Sequence, residues 1–169
     1  MSILTTDRLQ IRPYTLGDAA FVLELLNSPE WMANIGDRGI KTLTDAENYI
    51  ETKYLPQYSE YGYGAYVTEK IGTDEIVGTC GIYNRPDLDH PDIGFALLPQ
   101  YAKQGYAFEA AYAVKEYAKN TLKFETLYGI TLPSNTNSIR LLEKLGFNNI
   151  DRIRIEGDPE ELLLFSISF

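Results

Sequence analysis

The hydrophobic pattern of this 169-residue chain changes period at Pro99, and no other feature of the sequence constrains the fold as strongly. Before Pro99, three segments at 64–70, 75–83 and 92–98 have the length and composition of strands, with turn residues between them. After Pro99, small apolar residues recur at the spacing of one helical face: Ala107, Ala110, Ala111, Val114 and Ala118. The sequence therefore predicts a three-stranded meander that leads into an amphipathic helix.

The segment before the meander predicts two helices. Residues 15–18 form a capping sequence for a first helix, which the Ser-Pro pair at 28–29 should end. Residues 30–42 contain two glycines around a polar pair and are interpreted as a loop and a short turn. A second helix is predicted to open at the acidic segment beginning with Thr44 and to run toward Tyr54, because Pro56 should close it.

Four further segments are predicted to be strands, at 9–12, 126–131, 149–155 and 162–169, and one helix is predicted to end at Leu145. Gly146 and Phe147 follow that helix as a left-handed stop and an apolar residue that folds back. The final strand is apolar enough to need cover from the core or from a partner. With 44% hydrophobic residues and neither linker nor repeat, residues 1–169 are predicted to form one α/β domain.

The charge and the scarcity of soft metal ligands argue against several classes of function. A net charge of −9 disfavours nonspecific binding to nucleic acid and favours a cationic acceptor, such as an amine or a basic peptide. Cys80 is the only cysteine and His90 the only histidine, so we expect neither a metal site nor an internal disulfide. Because the sequence shows no secretory leader and no apolar run of membrane-spanning length, we expect a cytoplasmic protein.

A glycine-containing turn, Lys103-Gln104-Gly105, lies between the last strand of the meander and the long helix. The start of a helix presents free backbone N–H groups and about half a positive charge, which together bind anions. Gly105 permits the close approach of a phosphate, and Lys103 adds a full positive charge. The turn fits a pyrophosphate-bearing ligand, although on spacing alone a plain structural turn is the more common explanation.

Five segments that span nearly the whole chain share one family pattern: Thr5–Pro13, Ile76–Gly78, Asp92–Pro99, Gln104–Ala110 and Asn135–Phe147. With these segments the chain resembles the GNAT superfamily of N-acetyltransferases, and within it the ribosomal-protein N-terminal (RimJ/RimL-like) acetyltransferase group. The resemblance implies a single α/β (α+β) domain with a mixed, mostly antiparallel central sheet flanked by helices on both faces. It also implies a strand that splays from its neighbour through a bulge beside the CoA site, and homodimer formation.

The activity implied by this resemblance is the transfer of an acetyl group from acetyl-CoA, as cosubstrate, to an amine. The first choice of acceptor is the N-terminal α-amino group of a protein, which loses its proton more easily than a lysine side chain does. A small amine (a polyamine, an amino acid or an aminoglycoside) is the alternative. A CoA-binding module without turnover is another, because Ala102 stands where the family has glutamine or arginine and no tyrosine follows Tyr128 to protonate the departing thiolate.

The resemblance also implies which residues hold acetyl-CoA. Backbone amides of the turn would bind the pyrophosphate, and the pantetheine would run along the splayed strand. The implied contacts are Lys103, Gln104, Gly105, Tyr106 and Ala107 in the turn, and Phe95, Ala96 and Leu97 on the strand. Asn135 and Ser138 match the family's Asn-x-x-Ser, in which the asparagine contacts the CoA arm. From the residues alone, Asn135 caps the following helix, and the two roles are compatible.

Asp92 is the candidate general base, because it begins the splayed strand, where the family often has an acidic residue near the acceptor cleft. An exposed carboxylate at the end of a loop is the alternative for this residue. Glu109 is interpreted as structural, because the helix dipole stabilises an acid in a first turn. Cys80 is interpreted as a buried filler and His90 as a surface residue. The general acid stays unassigned, and solvent can serve in its place.

Overall fold

The computed structural model describes residues 1–169, and one sheet of eight strands forms its centre. The strands are β1 (Leu4–Thr5), β2 (Leu9–Pro13), β3 (Ala65–Lys70), β4 (Ile76–Tyr83), β5 (Asp92–Leu97), β6 (Thr126–Thr131), β7 (Asn148–Ile153) and β8 (Leu162–Ser168). Their order across the sheet is β1-β2-β3-β4-β5-β6-β8-β7. Every neighbouring pair is antiparallel except β5 and β6, which are parallel. The predicted mixed, mostly antiparallel sheet is confirmed.

Helices cover both faces of the sheet, as predicted. They are α1 (Ala19–Leu26), α2 (Pro29–Asn34), α3 (Leu43–Tyr49), α4 (Leu55–Tyr61), α5 (Tyr106–Asn120) and α6 (Thr136–Lys144). On one face, α5 and α6 pack through a cluster that contains four of the five predicted small residues of α5, together with Ile93 and Leu127 of the sheet. The fifth, Ala107, is only partly buried and lies outside this cluster. On the other face, α1 to α4 build a second cluster around Val22, Leu26 and Ile50. None of these helices has the length and apolar character needed to cross a bilayer.

The segment at 30–42, which the sequence predicts as loop, lies partly in a helix. α2 starts at Pro29, with Ser28 as its N-cap residue, and it buries Trp31. Proline fits the first turn of a helix, because the N–H group that it lacks would have no helical partner there. The Ser-Pro pair at 28–29 therefore ends α1 and at once begins α2. The two glycines farther along the segment had led to its interpretation as a loop.

The caps of the first two predicted helices differ in how well the sequence located them. The predicted capping sequence at 15–18 is present, and Asp18 Oδ2 accepts a 2.8 Å hydrogen bond from the N–H of Thr15. In α3 the capping residue is Thr42, not Thr44, and its Oγ1 accepts a 3.0 Å bond from the N–H of Asp45. The helix consequently begins at Leu43, because the capping box consists of a threonine and the acidic residue three positions later.

The prediction that Pro56 closes the second helix is wrong. After α3 the helix widens into a π-helical turn at Ile50–Tyr54 and then continues as α4. Pro56 lies in the first turn of α4, where a missing N–H leaves no broken hydrogen bond. The residue that ends this helix is Gly62, which has the left-handed φ of +78° that a side chain disfavours.

The end of the chain follows the predicted order with shorter strands. The predicted helix stop is present, because Gly146 has a φ of +96° and the N–H of Phe147 donates to the carbonyl of Leu142 at 3.0 Å. β8 lies between β6 and β7, and Phe165 on β8 is fully buried. Neighbouring strands and the core thus cover the apolar final strand.

Candidate functional site

A gap opens between β5 and β6 at the centre of the sheet. β5 pairs with β4 along its whole length, but its pairing with β6 stops after Asp92 and Ile93. No shift of register interrupts the β4–β5 pairing, so the splay is present without the bulge that the resemblance implied. Because β5 and β6 are parallel, the gap widens toward their carboxyl ends, which is where ligands bind in sheets of this kind.

The main-chain groups of β5 alternate between β4 and the gap. The N–H of Leu98 donates to the carbonyl of Val77 at 2.9 Å, which fixes the alternation of the antiparallel pair. Ala96 therefore directs its amide and carbonyl to β4, whereas Phe95 and Leu97 direct theirs into the gap. Of the three strand residues implied as ligand contacts, two offer main-chain hydrogen bonds there, and Ala96 can contribute only its side chain.

The turn before α5 leaves a set of backbone donors unused. Lys103 and Gly105 both have left-handed backbone conformations, with φ of +61° and +84°. No side chain caps α5, and its first backbone bond is the 3.1 Å bond from the N–H of Glu109 to the carbonyl of Gly105. The N–H groups of Gly105, Tyr106, Ala107 and Phe108 consequently have no partner in the protein. Free backbone donors at a helix start suit an anion, and the sequence predicts an anion at this turn.

β1 and β2 form an N-terminal hairpin, and Thr6 and Arg8 between these strands bond Glu109 in the first turn of α5, contacts that no sequence pattern indicated. Glu109 Oε1 accepts hydrogen bonds from Thr6 Oγ1 at 2.6 Å and from the N–H of Arg8 at 2.9 Å. The Arg8 guanidinium bonds Glu109 Oε2, with Nε at 2.7 Å and Nη2 at 2.6 Å. Partial burial would raise the pKa of Glu109, but the hydrogen bonds from Thr6 and Arg8 lower it. Glu109 is therefore an ionised structural residue, as interpreted from the sequence.

The gap has two walls: the turn before α5 follows β5 on one side, and the start of α6 follows β6 on the other. Asn135 follows β6 closely, and its Oδ1 accepts a 3.2 Å hydrogen bond from the N–H of Ser138. The predicted helix cap is confirmed. Since β5 and β6 run in parallel and each leads into a helix, the starts of α5 and α6 lie at the same edge of the sheet, on either side of the gap.

Replacing Asn135 by alanine is expected to lower the free energy of unfolding by about 1 kcal/mol, because the N–H of Ser138 loses its partner. Serine at the same position should restore most of that loss. Chemical denaturation measures both changes. Asn137→Ala, at an exposed position of the same helix, serves as the control and should change stability by less than about 0.5 kcal/mol.

Asp92 lies at the closed end of the gap. Its side chain points away from the face of α5, because Ile93 beside it belongs to the cluster on that face. The carboxylate is 1% exposed, and its Oδ1 accepts a 2.9 Å hydrogen bond from Arg85 Nε. Burial raises the pKa of Asp92 to about 6, although the Arg85 charge lowers it. The alternative of an exposed loop-end carboxylate is wrong, and Arg85 is a partner that the sequence did not reveal.

The other reactive side chains take the places that the sequence indicates. Cys80 is buried in β4, and burial raises the pKa of its thiol, which keeps it protonated. His90 is exposed and lies edge-on to the ring of Tyr128, with ring centroids 5.0 Å apart. No three of the histidine, cysteine, aspartate and glutamate side chains lie close enough together to hold a metal ion.

Comparison with known proteins identifies the relatives of this arrangement. The family described as Acetyltransferase (GNAT) domain matches residues 8–148, a range that contains every predicted site residue. The uncharacterized protein YkkB of Bacillus subtilis is 31% identical over 161 residues, which cover 92% of this chain and 91% of YkkB. These matches extend over both walls of the gap and over the turn before α5.

Solved structures share the fold. The acetyltransferase from Agrobacterium tumefaciens has a TM-score of 0.82 and 28% identity, covering 98% of this chain and 94% of that one. The ribosomal-protein-S5-alanine acetyltransferase of Vibrio fischeri has a TM-score of 0.81 at 17% identity, with coverages of 99% and 96%. The spermidine N-acetyltransferase of Vibrio cholerae, solved with CoA and spermine, has a TM-score of 0.78 at 15% identity, with 96% of each chain covered. One fold thus serves a protein acceptor and a polyamine acceptor in these proteins.

Proposed function

Because the chain belongs to the GNAT acetyltransferase family, and is thus an acetyl-CoA-dependent N-acetyltransferase, we propose that its acceptor is the N-terminal α-amino group of a protein. The buried Asp92, whose pKa is raised to about 6, is the observation that carries this proposal. At about pH 7, roughly a tenth of α-amino groups are already neutral, against roughly one lysine side chain in 2,500. A carboxylate with a pKa of about 6 is a weak base, so it suits the α-amino group, which loses its proton more readily than a lysine side chain.

The donor acetyl-CoA is proposed to lie in the gap between β5 and β6. Its pyrophosphate takes the free N–H groups of Gly105, Tyr106 and Ala107, and the exposed Lys103 and Gln104 flank it. The pantetheine amides pair with the main-chain groups of Phe95 and Leu97, and Ala96 lines the strand between them. Asn135 and Ser138 contact the CoA arm from the other wall. Because backbone amides bind the pyrophosphate, these contacts remain when the short side chain of Ala102 replaces a longer polar one.

The reaction proposed at this site needs no covalent enzyme intermediate. The neutral amine attacks the thioester carbonyl, a C–N bond forms, and the C–S bond breaks to release CoA. The N–H of Phe95 is the first donor of β5 beyond its pairing with β6, so it is placed to stabilise the oxyanion. Asp92 accepts the amine proton, through a water because its carboxylate is buried, and solvent protonates the thiolate.

The net charge of the chain suits a positively charged acceptor. The chain has a net charge of −9, so a basic peptide or polyamine is attracted and a nucleic acid is repelled. Cytoplasmic location is proposed with this function, and the lone buried Cys80 needs no oxidising compartment. Homodimer formation is proposed from the family resemblance, and sedimentation of the purified chain tests it.

Mass spectrometry of acetylated products tests the choice of acceptor. The panel contains a lysine-free peptide with a free N terminus, the same peptide with a blocked N terminus and one lysine, and spermidine, each with acetyl-CoA. We expect product on the free N terminus at a rate at least tenfold above the others. Product on spermidine alone would assign the small-amine alternative instead, and bound acetyl-CoA without any product would identify a binding module.

A further inference from the structure

We infer that Arg8 is a positioning residue for acetyl-CoA: acting through Glu109, it holds the turn before α5 and cancels a negative charge that would oppose the pyrophosphate. The inference rests on the proposed binding of CoA at this turn. Arg8, Thr6, Gln104 and Glu109 are called the hairpin clasp below. Thr6 and Arg8 lie between β1 and β2, Gln104 lies in the turn, and Glu109 lies in the first turn of α5.

The hairpin clasp fixes the turn at several points. Besides its bonds to Glu109, Arg8 donates from Nη1 to the carbonyl of Gln104 at 2.9 Å. Its guanidinium lies over the ring of Tyr106, with the carbon Cζ 4.3 Å from the ring centroid. A Cβ atom on Gly105 would stand 3.2 Å from Arg8 Nη2. One side chain thus contacts Gln104 in the turn and both Tyr106 and Glu109 in α5, and it lies beside Gly105.

The ion pair between Arg8 and Glu109 changes the charge that an anionic ligand meets at the start of α5. The unpaired N–H groups at the start of α5 attract phosphate, but the ionised carboxylate of Glu109 lies within the same helical turn and repels it. Arg8 neutralises that carboxylate through two charge-assisted bonds. Without Arg8, the helix start would offer the pyrophosphate its donors and an uncompensated negative charge together.

The clasp lies open to a ligand rather than inside the core. The Arg8 side chain is 44% exposed, and a groove of about 510 Å³ beside it is lined by Arg8, Gly105, Phe108 and Glu109 among others. A phosphate that approaches the turn therefore comes close to the clasp. Three of the five guanidinium N–H groups of Arg8 bond Glu109 and Gln104, so we assign its effect on the ligand mainly to the turn that it holds.

Steady-state kinetics with two acetyl donors tests this inference. We expect Arg8→Gln to raise the KM for acetyl-CoA about tenfold with little change in kcat. With S-acetylpantetheine, which lacks the pyrophosphate, the same variant should behave like the unaltered enzyme. Arg8→Lys should recover part of the loss, because it keeps the charge but not the forked geometry. Arg152→Gln, which breaks an exposed ion pair with Glu161 at 3.5 Å, is the control.

A double variant separates the charge from a purely structural role. Glu109→Gln alone should change the KM for acetyl-CoA by less than about threefold, and Arg8→Gln with Glu109→Gln should bind acetyl-CoA better than Arg8→Gln alone. Thermal unfolding of each variant checks that the fold is intact. An unchanged KM in Arg8→Gln, or an equal loss with both donors, would overturn the inference. Failure of the unaltered protein to bind acetyl-CoA would instead refute the proposed function.

Discussion

Valine in place of Gly105 is expected to weaken acetyl-CoA binding at least a hundredfold, which corresponds to about 2.7 kcal/mol. Gly105 has a φ of +84°, a conformation that costs a residue with a side chain roughly 1–2 kcal/mol. The added Cβ would also stand 3.2 Å from Arg8 Nη2, so the guanidinium that holds the turn would have to shift. Both effects act on the donors of the turn, and calorimetric titration with acetyl-CoA measures the loss.

Gly157→Val is the matched control for this variant. Gly157 has a φ of +87° and lies in an exposed turn where an added Cβ meets nothing within 4 Å. It therefore carries a similar backbone strain away from the turn before α5. We expect both variants to lose similar thermal stability and only Gly105→Val to lose acetyl-CoA affinity. Equal affinities in the two variants would mean that the turn does not hold the donor.

Asparagine in place of Asp92 is expected to lower kcat by about two to four orders of magnitude, the range typical of a lost general base. Asparagine keeps the shape and an oxygen that can accept the bond from Arg85, so the fold and the acetyl-CoA affinity should change little. Asp89→Asn, at an exposed position three residues earlier, is the control and should retain full activity. A kcat within threefold of the unaltered enzyme would remove Asp92 from the mechanism.

The pH dependence of this variant follows from the raised pKa. Asp92 is a base only when ionised, so kcat/KM should rise with pH through about 6 in the unaltered enzyme, and Asp92→Asn should lack that limb. Stability has the opposite slope, because the folded protein binds this proton more tightly than the unfolded chain, whose carboxyl has an ordinary pKa of 3.8. The contribution of Asp92 to the free energy of unfolding therefore falls as pH rises from about 4 to about 6.

Local signals allowed the sequence to predict much of this site. Gly105 before a run of helically spaced alanines located the turn, and Asn135 located the cap of α6, because each feature depends on neighbours within a few positions. The sheet class followed from strand lengths and from the resemblance. Proline was the misleading signal: at Pro29 and Pro56 it was interpreted as a stop, although the same lack of an N–H suits the start of a helix.

The partners of the two charged site residues could not be predicted from the sequence. Arg8 meets Glu109 across 101 positions of the chain, and only the docking of α5 beside the N-terminal hairpin brings them together. Arg85 meets Asp92 over seven positions, but the loop between them has no periodicity from which its path could be inferred. The burial that raises the pKa of Asp92 likewise depends on the assembled sheet, in which Tyr83 and Tyr128 are its partners on the neighbouring strands.

The assignment of the donor site is tested most directly by recording two-dimensional amide NMR spectra of the protein with and without acetyl-CoA. We expect the largest shift changes at the amides of Phe95 and Leu97 and at those from Gly105 to Phe108, where donors face the gap or lie free at the start of α5. Smaller changes are expected at Ser138. If these amides stay unchanged while others shift, acetyl-CoA binds elsewhere and the assigned site is wrong.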